Sequence, residues 1–192
     1  MATISKAIKS NIDDNICQGD IYKDVSYNYI DSEDDENVHV IELVFPMAII
    51  ISQACDVIAM GEMVRKKQGK ATKFMPSVLM CPIYDAQMLK EATHLKKLLN
   101  IFDYQIEDGS VYDKRDAEIA KRDWHYRFHK LSVSVEEKVV LNDTFIDYKH
   151  YFTVSPKYLM NNISNRIFRL DDIYAEQITL KFATYLARVA IP

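Results

Sequence analysis

The chain has 192 residues, 48% hydrophobic and 27% charged, with a formal net charge of −4. That balance excludes collagen-like, low-complexity and intrinsically disordered chains. It also excludes a nucleic-acid binder that depends on an overall basic surplus, so any contact with RNA or DNA has to be a local patch.

Three cysteines (Cys17, Cys55 and Cys81) form no CxxC pair and leave an odd count. That pattern fits neither a disulfide framework nor a structural zinc site, and no metal or cofactor is expected. The start Met1-Ala2-Thr3-Ile4-Ser5-Lys6 lacks the apolar core of a signal peptide. The longest apolar run, near 43–51, falls far short of the ~20 residues that span a bilayer. The expectation is a cytoplasmic protein with free thiols and no membrane partner.

In chain order, residues 1–18 carry isoleucines at 4, 8, 12 and 16, the spacing of a weakly amphipathic lead-in helix. Gly19-Asp20 introduces a short strand at Ile21-Tyr22. The acidic run Asp31 to Glu36 repels itself and fits a solvated hairpin tip before a strand over Val38–Phe45. Pro46 is expected to interrupt that strand, with Met47–Ser52 as the next, central one. Residues 60–75 hold Arg65, Lys66, Lys67, Lys70 and Lys73 with two glycines and read as a basic loop. Val78–Ile83 reads as another buried strand.

From Asp85 the period becomes helical, through Met88, Leu89, Ala92, Leu95, Leu98 and Leu99, and a second helix is predicted from Asp113 to about Trp124. Strands resume over 126–133, 139–141, 145–154 and 166–170, with a short turn at Ser155-Pro156. A final helix carries the stripe Ile173, Tyr174, Ile178, Phe182, Tyr185, Leu186 and Val189, capped by Asp171 or Asp172. The expectation is one α+β domain over 1–192, mainly β with helices: a small antiparallel barrel with a core at 19–85 and 125–170. A helical insertion would occupy 86–124 and a C-terminal helix 171–190.

The segments Gly19-Asp20-Ile21-Tyr22, Pro46 to Ser52 and Val78 to Ile83 resemble, in order and spacing, the strands of the MazF/PemK-like toxin family. The resemblance covers about the first 85 residues. Ser52-Gln53-Ala54-Cys55-Asp56 and the ending Arg188 to Pro192 look nearer still to a bacterial group built on the same barrel. The resemblance to the toxin family implies an SH3-like barrel, a homodimer, an antitoxin or other protein partner, and metal-independent cleavage of single-stranded RNA. That chemistry asks for a base on the 2′-hydroxyl, a cation for the phosphorane and an acid for the leaving oxygen. The chain departs from the family at Phe45, where the toxins often carry arginine.

The candidate catalytic residues are Ser52, Asp56, Arg127 and His129, and the candidate RNA-binding residues are Gln53, Arg65, Lys67, Tyr126 and Lys149. Ser52 falls on the family's strand-end Ser/Thr position. Asp56 reads either as a general base or as the cap of its own turn. The alternation in His125-Tyr126-Arg127-Phe128-His129 puts two histidines and an arginine on one strand face and two rings on the other, a pattern suited to RNA. Cys55 reads as a small packing residue, or as a nucleophile served by His125, His129 or His150. The alternative function is a non-catalytic protein-interaction module on the same barrel.

Overall fold

The computed structural model describes residues 4–6, 13–33, 37–90, 93–94, 127–135 and 138–187. Eight strands form one sheet, β1 (Ile4–Lys6), β2 (Asp20–Glu33), β3 (Val38–Ile50), β4 (Val78–Asp85), β5 (Phe128–Val135), β6 (Lys138–Asp147), β7 (Phe152–Val154) and β8 (Arg166–Arg169). The spatial order is β1-β5-β6-β4-β3-β2-β8, with β7 also paired to β4. All pairs are antiparallel except β1 with β5. The path is open, because β1 and β8 stand at its two ends and each pairs with one neighbour. The α+β class expected from the sequence holds. The closed small barrel does not follow from these pairings.

Among the described residues, four helices accompany the sheet: α1 (Ala54–Lys66), α2 (Ala86–Lys90), α3 (Pro156–Asn161) and α4 (Asp172–Leu186). Strand side chains alternate between two cores with period two. Tyr22, Ala48, Ile50, Met80, Tyr84 and Phe145 join one core, together with Val57 of α1 and Leu159 of α3. Their neighbours Ile21, Ile49, Ile51, Cys81, Ile83 and Ile146 join the other, under Ala175, Ile178 and Phe182 of α4. The central strands are therefore apolar on both faces, as the run at 47–51 predicts. Each fully buried Ile contributes about 2 kcal/mol of transfer free energy.

Several sequence expectations change: Ile4–Lys6 of the expected lead-in helix is strand β1, and the strand expected over 145–154 is broken by a 3₁₀ turn at Tyr148–His150. Pro46 does not end a strand, since β3 runs through it from Val38 to Ile50. The ladder pairs Lys23 with Met47 and Val25 with Phe45. Asp24, between them, adopts the left-handed φ of 51°, so the partner strand deforms where the proline has no N–H to offer. The first part of the basic loop expected over 60–75, residues 60–66, is the end of α1, which is closed by Lys67 with φ 51°. Ser155-Pro156 is the start of α3, where Ser155 Oγ accepts from the Tyr158 amide and proline stands in the first turn.

The final helix forms where expected, with Asp171 as the N-cap accepting from the Ile173 amide, but Ile173 and Leu186 of the expected stripe are exposed and Val189 lies outside the described residues. Within the expected insertion, α2 and the helical pair Thr93-His94 are described, while the helix predicted over 113–124 lies outside the described residues. Gly19 takes φ 80°, and a Cβ there would stand 2.8 Å from the Ala175 Cβ. Glycine thus lets β2 begin directly beneath α4.

Candidate functional site

Ser52-Gln53-Ala54-Cys55-Asp56 joins β3 to α1. Ser52 Oγ accepts the Leu79 amide at 2.8 Å, so it ties the end of β3 to the start of β4. Gln53 is the N-cap residue of α1, where its carbonyl accepts the Asp56 and Val57 amides. Asp56 sits in the first turn of that helix, where a carboxylate complements the exposed N–H groups. Gln18 Oε1 accepts the Ala54 amide, and its Nε2 donates to Thr179 Oγ1 of α4 at 2.6 Å. Cys55 is exposed, which overturns the packing reading. Arg65 and Lys67 are exposed at the far end of α1.

A second set of polar groups converges at the end of β6. Asp147 is fully buried and occurs opposite Phe128 in the ladder, so it faces the same side of the sheet as Phe145 and Tyr84. Arg127, just before β5, donates through Nε to Asp147 Oδ1 at 2.8 Å and through an Nη to Oδ2 at 2.7 Å. This is the bidentate fork in which guanidinium and carboxylate planes match. The Lys149 amide adds a third donor at 3.0 Å, closing the short 3₁₀ turn Tyr148–His150.

His150 Nδ1 lies 2.9 Å from Asp147 Oδ2, side by side with it and off the line of a hydrogen bond. Its Nε2 lies 3.4 Å from the Arg127 Nη. His94, in the described helical pair beyond α2, stands over the same place, with its ring centroid 4.5 Å from that of Tyr84 and 6.1 Å from that of His150.

Electrostatics sharpens these roles. Burial pushes the Asp147 carboxyl up, but the hydrogen bonds of Arg127 and the charge of Arg127 and the nearby His150 outweigh it and hold the group far below the ordinary carboxylate range. Burial pushes His94 down to about 4, so it is neutral at physiological pH. Its Nδ1 lies 3.1 Å from the Met88 carbonyl, which can only accept; the proton is therefore on Nδ1 and the lone pair on Nε2. Burial, then the Asp147 charge, raises the Cys81 thiol well above its usual value and leaves it inert. The cluster offers a fixed cation, a buried anion and two imidazoles, one neutral and enclosed and one half-buried.

The expectation that Arg127 and His129 share a face does not hold. Arg127 precedes β5 and turns to Asp147, whereas His129 lies under α4, with Nδ1 2.8 Å from Lys181 Nζ and its ring stacked near Tyr148. Tyr126 and His125 lie outside the described residues. Lys149 is exposed at the rim of the cluster, while Ser52 lies against the start of β4 on its other edge, the one that pairs with β3, with Gln53 and Asp56 just beyond it. Of the sequence candidates, Arg127 and Lys149 come together. Asp147 and His94 carried no local signal, and His150 stood out only as one of several histidines.

A second set of buried charges ties the start of β2 to β8. Asp20 accepts from Arg169 through both oxygens at 2.6 and 3.1 Å and from the Cys17 amide at 2.8 Å. Arg166 and Arg169 also donate to the Asn15 carbonyl, each at 2.6 Å. Burial pushes the Asp20 carboxyl up against the pull of both arginines, while its carboxylate raises the Arg169 pKa. Every Asp20 oxygen faces a charged or backbone donor, which compensates the burial of the pair. The Gly19-Asp20 signature thus fastens the segment 13–20 to β8. Neither a protein-family model, nor a curated protein, nor a solved structure matches the chain.

Proposed function

We propose that this chain is a MazF/PemK-like, toxin-type protein that binds single-stranded RNA and cleaves it without a metal. The reaction site in this reading is the Arg127–Asp147–His150 cluster rather than Ser52–Asp56. The observation that carries it is the bidentate Arg127–Asp147 pair with the His150 ring against it.

Strand transfer within RNA needs a proton taken from the 2′-hydroxyl, charge compensation on the phosphorane and a proton given to the departing 5′-oxygen. Asp147 beside Nδ1 favours the His150 tautomer whose Nε2 is a base, the role a buried carboxylate takes beside a catalytic imidazole. Nε2 removes the 2′-hydroxyl proton, O2′ bonds to phosphorus and the P–O5′ bond breaks. The same imidazolium then returns its proton to O5′, giving a 2′,3′-cyclic phosphate and a 5′-hydroxyl. Arg127, 3.4 Å from Nε2 and fixed by Asp147, supplies the cation. Lys149 at the rim holds a neighbouring phosphate. An antitoxin-like protein and a second copy of the chain are the partners that accompany this reading.

The test is incubation of the full chain with single-stranded RNA in EDTA. Parent protein is expected to produce cyclic-phosphate ends. His150→Gln loses about 10²–10⁴-fold in rate, the usual contribution of a general acid–base, and Ser52→Ala stays near the parent. Intact RNA after incubation with folded parent protein sinks the reading. Loss of cleavage in Ser52→Ala with retention in His150→Gln moves the site back to the β3–α1 junction.

A second reading, a module that binds without cleaving, is favoured by the outer half of the β2–β3 ribbon. There Ile30, Val38, Val40 and Val44 are all exposed, an apolar face of the kind that marks association surfaces.

A further inference from the structure

The Arg127 pair leaves one feature of the cluster unexplained. His94, Asp147 and His150 each offer a ligand atom, and these atoms lie within 4.8 Å of one another. Two imidazoles and a carboxylate are a donor set that alkaline-earth ions do not favour, since those prefer all-oxygen shells. Zinc, cobalt, nickel and copper accept it, and three protein ligands with one open position is the zinc arrangement found where a fourth ligand exchanges.

Three further observations point the same way. His94 donates Nδ1–H to the Met88 carbonyl at 3.1 Å, the outer hydrogen bond that orients a ligating histidine and turns its Nε2 lone pair outward. Asp147 Oδ1 is held by Arg127 Nε and the Lys149 amide, while Oδ2, which also accepts an Arg127 Nη, faces His150. The His150 Nδ1 and Asp147 Oδ2 atoms stand 2.9 Å apart yet off the hydrogen-bond line. Two ligands on one tetrahedral ion stand side by side in this way, about 3.3 Å apart for metal–ligand bonds near 2.0 Å.

We infer that His94 Nε2, Asp147 Oδ2 and His150 Nδ1 form a site for a zinc-class divalent ion that competes with Arg127 for the carboxylate. Arg127 donates to both oxygens of Asp147 in the metal-free form. With the ion on Oδ2, its Nη contact yields and only the Nε–Oδ1 bond remains, because two positive groups cannot share one lone-pair region at this distance. The cation and the imidazole of the cluster then cease to work as a unit. Zinc is therefore an inhibitor, and the protein is active when the ion is removed. Metal binding stands on the cluster alone, and only the inhibition rests on the RNA-cleavage reading.

The test uses the full chain stripped with a chelator and titrated with Co²⁺, whose visible absorption reports nitrogen and oxygen ligation. One ion per chain is expected. His94→Gln and His150→Gln should each weaken binding by more than about tenfold, with circular dichroism confirming that both variants fold. Cys55→Ser removes the exposed thiol, the main competing ligand, and should leave affinity and spectrum unchanged.

Parent binding no tighter than that of the His94→Gln/His150→Gln double variant would overturn the inference, as would a spectrum that disappears in Cys55→Ser. The RNA assay separates the two claims. Cleavage in EDTA that is suppressed by zinc at the concentration that saturates the site supports both. Cleavage indifferent to zinc at that concentration removes the inhibition. RNA intact in EDTA with Co²⁺ bound at one site per chain removes the cleavage reading and leaves the metal site standing.

Discussion

His94 links the cluster to pH through stability. It is 3% exposed and held near 4, whereas a histidine in the unfolded chain titrates near 6.5. Between those values the unfolded state binds a proton that the folded state refuses, so stability falls as the medium is acidified from about 6.5 towards 4. The slope is about 1.4 kcal/mol per pH unit and the full loss about 3 kcal/mol. Urea titrations of chelated protein across that range should show it, and His94→Gln should flatten it. A slope unchanged in the variant would mean that another group carries the effect. Asp147 acts in a lower window: its depressed pKa contributes stability above the unfolded carboxylate value, lost only as pH falls below about 4.

How visible were these residues in the sequence? Arg127 and Lys149 could be picked out because cations beside rings suggest RNA wherever they occur. Asp147 could not, since it ends an ordinary strand and its partner lies 20 positions upstream. Only the β5–β6 register joins them, and register is a property of folded pairs.

At the scale of elements, legibility follows the width of the apolar stripe. α4 buries Ala175, Ile178 and Phe182 at helical spacing and could be drawn from the letters alone. α1 buries only Val57, Met60 and Gly61, too narrow a stripe to outweigh two glycines and a cluster of lysines in the local reading. β3 failed for the opposite reason. A local rule about proline is sound for a flat central strand, but here the distortion is absorbed by Asp24 on the partner.

The same stripe predicts unequal costs along α4. Phe182 is 4% exposed and packs edge-on to Tyr151 and beside Tyr148, so Phe182→Ala should cost about 3–4 kcal/mol through lost burial and a residual cavity. Leu180, two residues earlier and 69% exposed, should cost less than about 0.5 kcal/mol when cut to alanine. Paired denaturant melts check this. Equal losses would mean that α4 packs on the sheet by a different face.

The whole molecule carries a net charge of −4, so an RNA strand can approach only where the local field is positive. Two candidate places follow from the exposed cations, the end of α1 and the rim of the cluster. Arg65 and Lys67 end α1, while Lys149 lies beside Asp147 and Arg127 on the far edge of β4. Only the second adjoins the cluster proposed to react. A single strand seated there releases counterions at Lys149 and not at α1. Lys149→Gln should therefore weaken RNA binding similarly for all sequences and lower the slope of log affinity against log salt by about 0.7, the share of one phosphate contact on a single strand. An Arg65→Gln/Lys67→Gln double variant should leave the slope where it was. Fluorescence anisotropy with a short labelled RNA over a range of salt concentrations decides between them. If the α1 pair lowers the slope by about twice that amount and Lys149 does not, the strand runs over α1, and the Ser52–Asp56 junction becomes the site to pursue.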